Sequence, residues 1–586
     1  METSAGSTKP VEKTLFARKA SGLVKGWSST DGFRYSFFSV NLFLAIWSFA
    51  YATFIPGGSL FWSIVITALL VILEIVVYGG FISVMPRAGG DYVWMTRVFN
   101  SPIGFVLAAC GWWFILWQWV PIYADMGVET TIKPILRIVG TDGAADWLTS
   151  NNGVFVSSLV VIFIASLLVA VGMKAYARFQ KWAMWIGLAG CLVAGILLLV
   201  TSADSYKAKF NEAANKYYGD RGTLDLTKYE TDASGLYKYD DAGALIPVMN
   251  ADDKTPEQYA NAFEATAAIG KGTGMPGSMF DGGLGWATWT LIPFMLFWML
   301  WPNWGATLYG EVRGAKDFRK NIYQMLGGLL VPTIIALAFL ALMSWKMGYQ
   351  TFMGTMSSFW WGVSPLGGDY MSPTAMISWI VGNPAFQIIL IGAISLLLFG
   401  WYGTVFLSST RMVFAAAFDR ILPEKAASVT SGGVPVIALL LMTIPSIITS
   451  ALYAYTPVNA EFGVTWFKLL TYDATVVIAI MFLGTGLAFM IMPWRTKAMW
   501  ESSSLPKWKV AGIPVMSIVA AGYSAFLVFN LYLWFKDAVY GVNNTKSLYF
   551  MGALYLLAIV IWVVAWVVRK GQGMALETVA KEIPAE

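Results

Sequence analysis

Twelve stretches of this chain are long and apolar enough to cross a lipid bilayer, and nothing else in the sequence limits the fold as much. They cover about 36–55, 60–84, 102–127, 154–173, 182–201, 284–308, 324–345, 385–408, 434–455, 465–493, 513–535 and 548–568. Each is close to the roughly 20 residues that a helix needs to span the hydrocarbon core. Inside lipid the backbone must satisfy its own hydrogen bonds, so such spans are helices. Charge points the same way: Asp, Glu, Lys and Arg are 12% of the 586 residues, against roughly 25% in soluble domains. The expected fold class is all-α and integral to a membrane, with 12 transmembrane helices.

Loop charge sets an orientation for these spans. The segment before span 1 carries Lys9, Lys13, Arg18, Lys19, Lys25 and Arg34, and the connection after span 2 carries Arg87 and Arg97. The later even connections hold Lys174, Arg178 and Lys181; Arg313, Lys316, Arg319 and Lys320; Arg411, Arg420 and Lys425; and Arg495, Lys497, Lys507 and Lys509. The C-terminal tail adds Arg569, Lys570 and Lys581. The odd connections are poor in Lys and Arg or acidic. The expectation is a multi-pass protein of the cell (plasma) membrane with both termini cytoplasmic. The polar N-terminus has no signal-peptide cleavage pattern, so span 1 is expected to be retained.

One odd connection, 202–283, carries 13 acidic groups and 8 basic ones. It reads either as an external subdomain that could receive a protein partner or as a functionally neutral loop. Another, 346–384, contains Phe359, Trp360 and Trp361, which are expected against the outer membrane surface. There is no His, which removes His-based relays, metal sites and triads. Cys110 and Cys191 fall inside apolar spans and read as buried small hydrophobes. No nucleotide-binding loop is present, and the short basic loops cannot form a nucleotide-binding domain. An enzyme is therefore not expected, nor a cofactor beyond a coupling Na+ or H+. Net charge is +5, but the basic residues are scattered, which argues against nucleic acid. No repeated pore loop or charged ring suggests a channel.

Met85 to Trp94 reads MPRAGGDYVW. Pro86, Gly89 and Gly90 cannot sit in a helix interior, and Arg87 and Asp91 cannot sit cheaply in hydrocarbon. With Tyr92 and Trp94, the stretch is expected as a sharp turn at the membrane boundary, with Arg87 anchored to phosphate. Tyr78 followed by Pro86-Arg87-Ala88-Gly89-Gly90-Asp91-Tyr92 resembles the Y…P-R-x-G-G-x-Y signature of the amino acid–polyamine–organocation (APC) superfamily of transporters. Ser409-Thr410-Arg411, Ala415 to Ala417 and Asp419-Arg420-Ile421-Leu422-Pro423 are similar to that superfamily's S-x-R…A…D-G-L-L-P run. Gly310-Glu311-Val312 is similar to its G-E-V-K-x-P. The resemblance covers about Arg34 to Arg495.

It implies a five-plus-five inverted repeat (LeuT-like) with two peripheral helices, and a substrate site where the first helix of each repeat is interrupted. The expected division is a cytoplasmic N-terminal segment 1–35, a first repeat 36–201, an external loop 202–283, a second repeat 284–493, peripheral helices 494–568 and a tail 569–586. The implied function is secondary active transport of amino acids or related amines by alternating access, ion-coupled or by exchange. The alternative is a non-transporting sensor or partner-binding subunit of the same fold.

Span 6 carries an interruption on its own evidence. Trp298, Trp301, Pro302 and Asn303 combine a missing backbone donor, an amide and an aromatic wall; a simple proline kink is the competing reading. In span 1 the corresponding place falls near Phe43, Leu44 and Ala45, without glycine, and Asn41 and Ser48 are the nearby polar groups. Trp113, Gln118, Trp401, Tyr402 and Asp473 are assigned to the substrate cavity by position. For coupling, Glu74 lies near the middle of span 2, where an ionisable group is a functional candidate or a silent protonated acid. Thr404 and Ser408 lie four apart on one helical face. They could hold Na+, or simply bond their own backbone. Gly187 stands where many proton-coupled members carry a Lys. Lys468 is a candidate partner for Asp473, and Asp125 and Glu129 are expected at the interface.

Overall fold

The computed structural model describes residues 26–579 apart from 242, 251, 253, 431–432 and 460–463. Lys9, Lys13, Arg18, Lys19, Lys25, Asp253 and Lys581 lie outside the described residues. Among the described residues, eleven helical segments are long and apolar enough to cross a membrane. They are Ser29–Phe54, Leu60–Val84, Ser101–Val139, Asn151–Ala170, Met173–Val200, Phe318–Met347, Pro384–Phe418, Val436–Tyr455, Lys468–Arg495, Val515–Lys536 and Thr545–Gly571. The twelfth apolar stretch, span 6, divides into the helix Trp286–Met299 and the 3₁₀ helix Trp304–Glu311. Neither half alone has the length of a crossing. The protein is an all-helical, multi-span membrane protein.

Local sequence sets most of the boundaries. Ser59, Ser150, Asp317, Asn383 and Asn544 each cap a span by accepting a backbone N–H of its first turn, which satisfies donors that a helix start leaves open. Pro384 follows Asn383 at the first helical position, where a missing N–H costs nothing. Span 3 contains two wide π turns, Cys110–Phe114 and Val128–Ile132. Each inserts extra backbone and re-aims the side chains around it.

Span 1 lies at the centre, with 94% of its apolar window buried, and span 12 at the edge with 17%. The first half of span 1 packs on span 7, and span 2 packs on the first half of span 6. Spans 4 and 9 each pack on both span 3 and span 8. Span 5 packs along span 8, and span 10 packs on span 3 and span 11.

Contacts sort the connections onto two sides. On one side Trp27 pairs with Val312, Arg97 binds Asp419, Arg411 binds Glu311, and Arg569 donates to the Arg420 carbonyl. These residues come from the basic connections and the tail. On the other side residues 202–283 form a folded layer: a helix Ala203–Tyr217, a ladder of short antiparallel bridges such as Tyr229 with Pro247 and Tyr239 with Leu245, and a helix Ala262–Gly272. The last helix lies directly on Tyr349–Ser358, because Gly270 and Gly354 leave no side chain between the backbones. Arg221 reaches Asp142, and Tyr218 donates to Asp369.

Trp360 and Trp361 are 39% and 40% exposed, and the run also covers the end of span 1: Trp360 meets Trp47, Tyr51 and Phe54, and Trp361 donates to Thr53 Oγ1 at 2.7 Å. Two other expectations are corrected here. Glu129 is buried beside Lys133 rather than interfacial. Lys468 pairs with Asp125, not with Asp473.

Candidate functional site

Span 1 breaks at Asn41. The helix Ser29–Val40 ends there, and Leu42–Ser48 starts anew. Asn41 has φ +55°, a region closed to most side chains and least unfavourable for Asn and Asp. Its Oδ1 accepts from the backbone N–H of Phe43 and Leu44, at 3.0 and 3.4 Å. The residue thus ends one helix and caps the next. Its Nδ2 is buried and finds no partner among the described residues.

Span 6 breaks over Leu300 to Asn303, where Pro302 lacks an N–H to donate. Ser36 Oγ donates to the Pro302 carbonyl at 2.8 Å, so the helix that leads into the span 1 break packs on the span 6 break. Asn303 is 1% exposed, and neither of its side-chain atoms has a partner among the described residues. A primary amide so enclosed and unsatisfied is costly unless something pairs with it.

Aromatic rings wall this centre. Trp119 stacks on Trp304 at 5.4 Å and meets Trp301 edge-on at 5.0 Å. Trp112 meets Trp304 at 4.6 Å, and Trp401 stacks on Tyr123 at 3.7 Å. On the side of the 202–283 layer, Tyr51, Phe294, Phe297 and Tyr472 close over it. On the other side Tyr35 Oη lies 2.8 Å from Ser408 Oγ, which donates to the Trp304 carbonyl at 3.1 Å.

The three sequence motifs meet just beyond this second layer. Gly89 N–H donates to the Thr307 carbonyl at 2.9 Å. A Cβ on Gly90 would stand 2.8–2.9 Å from the backbone of Ala306 and Thr307, so this turn requires glycine. Tyr92 and Arg97 both bind Asp419, and Arg411 forks onto Glu311 at 2.7 and 3.1 Å. Tyr92 and Trp94 are fully buried, which corrects their expected place at the membrane boundary. Arg87 is partly exposed, with Nη1 on the Pro86 carbonyl.

Residues 31–231 match a family model described as amino acid permease. Over that segment the chain is similar to the amino acid permease family. No curated protein matches the chain. The matched segment covers spans 1 to 5, with the Asn41 break and the Gly89–Gly90 turn inside it.

Several candidate residues lie at the breaks, and others do not. Asn41, Trp301, Pro302 and Asn303 form the breaks themselves, and Leu44, Ala45 and Ser48 follow in the second half of span 1, where Ser48 Oγ donates to the Leu44 carbonyl. Trp298 is buried with its indole N–H unpartnered among the described residues. Trp401 belongs to the aromatic wall, and Tyr402 Oη donates to the Tyr123 carbonyl at 3.3 Å. Gln118 donates to the Leu470 carbonyl at 2.7 Å, leaving its Oε1 buried and without a partner among the described residues.

Trp113 turns the other way and donates to the Leu441 carbonyl of span 9. Trp112 and Trp119 take the places beside the break, and the wide turn at 110–114 hides this from helical periodicity. Asp473 lies beside Ser547 of span 12, on the far side of span 10. Thr404 Oγ1 donates to the Trp401 carbonyl of its own helix. Gly187 faces Leu397, whose Cδ2 would lie 2.4 Å from a Cβ there, so the position is a close helix contact. Asp91 was not singled out as a site residue. It sits in the signature turn, and burial raises its pKa while Thr485, Tyr78 and Trp112 pull it down as donors.

Proposed function

We propose that this protein is a secondary active transporter that moves amino acids or related amines by alternating access, with substrate held between the breaks of spans 1 and 6. The observation that carries the reading is that spans 1 and 6 are both broken, each break presenting a buried amide with unsatisfied atoms, Asn41 Nδ2 and Asn303 Nδ2 and Oδ1. Such groups fit the carboxylate and ammonium of an amino acid, and helix ends at the breaks add complementary partial charge. The rings of Trp119, Trp301, Trp304 and Trp401 suit an apolar side chain or a cation.

The packing supports a five-plus-five inverted repeat. Exchanging spans 1–5 with 6–10 turns the contact of span 1 with 7 into that of 6 with 2, and the contact of 4 with 8 into that of 9 with 3; all four occur. In this reading the basic side is cytoplasmic, the 202–283 layer is external, and spans 11 and 12 are peripheral. The ion is Na+ near Thr404 and Ser408, or H+ on Glu74.

The test is uptake of an amino-acid panel by proteoliposomes with imposed Na+ and pH gradients, using the full chain and Asn303→Ala. Wild type should accumulate at least one amino acid, and Asn303→Ala should bind it more weakly. A protein that binds amino acids yet moves none would favour the sensor alternative.

A further inference from the structure

Glu74 is fully enclosed near the middle of span 2, and neither carboxylate oxygen has a hydrogen-bond partner among the described residues. The groups within electrostatic reach of it are Asp91, Tyr523 and Tyr78. Tyr523, from span 11, turns its hydroxyl toward Glu74. Asp91 is held by three donors: Tyr78 Oη and Thr485 Oγ1 on one oxygen, and Trp112 Nε1 at 2.8 Å on the other.

The remaining neighbours of span 2 bring no countercharge. The first half of span 6, Trp286–Met299, contains no ionisable residue. Span 7 carries Arg319, Lys320, Tyr323 and Lys346 only toward its ends, span 10 carries Lys468, Tyr472, Asp473 and Arg495 only at its ends, and span 11 adds Tyr532 and Lys536 near its end. The helix Trp304–Glu311 brings Tyr309 and Glu311, and the arginines nearest Asp91 along its own helix and span 8, Arg97 and Arg411, are paired with Asp419 and Glu311. Two enclosed carboxylates within reach of each other, without a cation, do not both ionise. Asp91, with three donors, is the better anion. Glu74, with none, is the better acid.

We propose that Glu74 and Asp91 form the proton-binding site of this transporter, holding one proton in the enclosed state and giving it up when the seam between spans 2, 10 and 11 admits water. The inference rests on the transport reading above and names its coupling ion. Only the carboxyl O–H bond forms and breaks, and the proton passes to and from water.

The route to the substrate is short. Trp112, the indole donor to Asp91, packs edge-on against Trp304 at the break of span 6. Movement of that break shifts Trp112 and changes how well Asp91 is stabilised as an anion. That is a physical link between substrate binding and the charge state of the pair.

Two measurements test this on the full chain. Infrared difference spectra of the purified protein should show the carbonyl stretch of a buried protonated carboxyl at neutral pH in wild type, and Glu74→Gln should lack it. In Na+-free proteoliposomes, a pH gradient with an alkaline lumen should drive accumulation of the transported amino acid and acidify a trapped pyranine. Glu74→Gln should lose about tenfold or more of this accumulation, the scale of an ordinary coupling free energy, while exchange, which moves no net proton, continues. Tyr523→Phe should shift the pH of half-maximal accumulation, a change that loss of folding would not mimic. A wild-type minus Glu74→Gln infrared difference that contains no protonated-carboxyl band, or gradient-driven accumulation within about twofold of wild type, would overturn the proposal. If wild type moves no amino acid under any gradient, the transport reading fails, and the infrared band alone then supports or overturns the proton site.

Discussion

The two helix breaks at the centre of this molecule do the same thing by different means. Span 1 is interrupted at one residue, Asn41, which takes a left-handed φ and uses its own side chain to cap the helix that follows. Span 6 is interrupted over several residues around Pro302, and its second half continues as a 3₁₀ helix. The first break is a conformational choice that one side chain enforces. The second follows from a missing N–H and needs its neighbours to hold it, chiefly Ser36 on the Pro302 carbonyl and Arg411 on Glu311. The lesson is that glycine is not required for an unwound span when an Asn can satisfy the donors it exposes.

The largest expected effect breaks the anchoring of the second break. Arg411→Ala leaves Glu311 as a buried, uncompensated charge and should cost about 3–5 kcal/mol. By contrast, Arg34→Ala, at the partly exposed Arg34–Asp31 pair before the first break, should cost no more than about 1 kcal/mol. Thermal unfolding of the two variants in detergent would check the difference, and equal losses would remove the distinction.

Asn41→Val comes next, because it attacks the first break directly. A β-branched residue at φ +55° brings strain of about 1–3 kcal/mol, and the lost cap adds about 1 kcal/mol. Uptake should fall with stability. Asn41→Gly sharpens the point: it keeps the backbone accessible and loses only the side-chain cap, so its cost should be a few tenths of a kcal/mol by the usual cap scale. If Gly is as damaging as Val, the Nδ2 of Asn41 matters to substrate and not only to the backbone, and a substrate-binding measurement would register it.

Pro302→Ala likewise has a small effect on stability. Restoring one N–H permits a more regular helix without creating a cavity, so stability should shift by less than about 1 kcal/mol. The transport rate should nevertheless fall, because the break becomes easier to close. Uptake at the wild-type rate would assign the opening of span 6 to its neighbours instead of to proline.

Much of this was legible in the sequence. Apolar length gave the spans, loop charge sorted the connections, and their observed contacts group the same residues on one side. The three motifs were recognisable separately. Their meeting was not, because Asp419 and Arg97 are 322 residues apart in the chain. Pro302 announced the span 6 break. The span 1 break was expected near Phe43 to Ala45 and lies at Asn41, since nothing in an isolated Asn says that its φ will be positive. Trp113 was assigned to the cavity by its position in span 3, but after the π turn it donates to the Leu441 carbonyl of span 9, while Trp112 packs on Trp304.

What the sequence determined alone is therefore the class of molecule: apolar runs of bilayer length can only be helices, and the signature turn needs its glycines. What only the tertiary structure decided is which polar groups are left without partners. Glu74, Asn303 and the Nδ2 of Asn41 became distinctive when every helix around them was in place and none of the described residues supplied a partner. Satisfaction of a buried hydrogen bond depends on residues hundreds of positions away, and no local pattern encodes it.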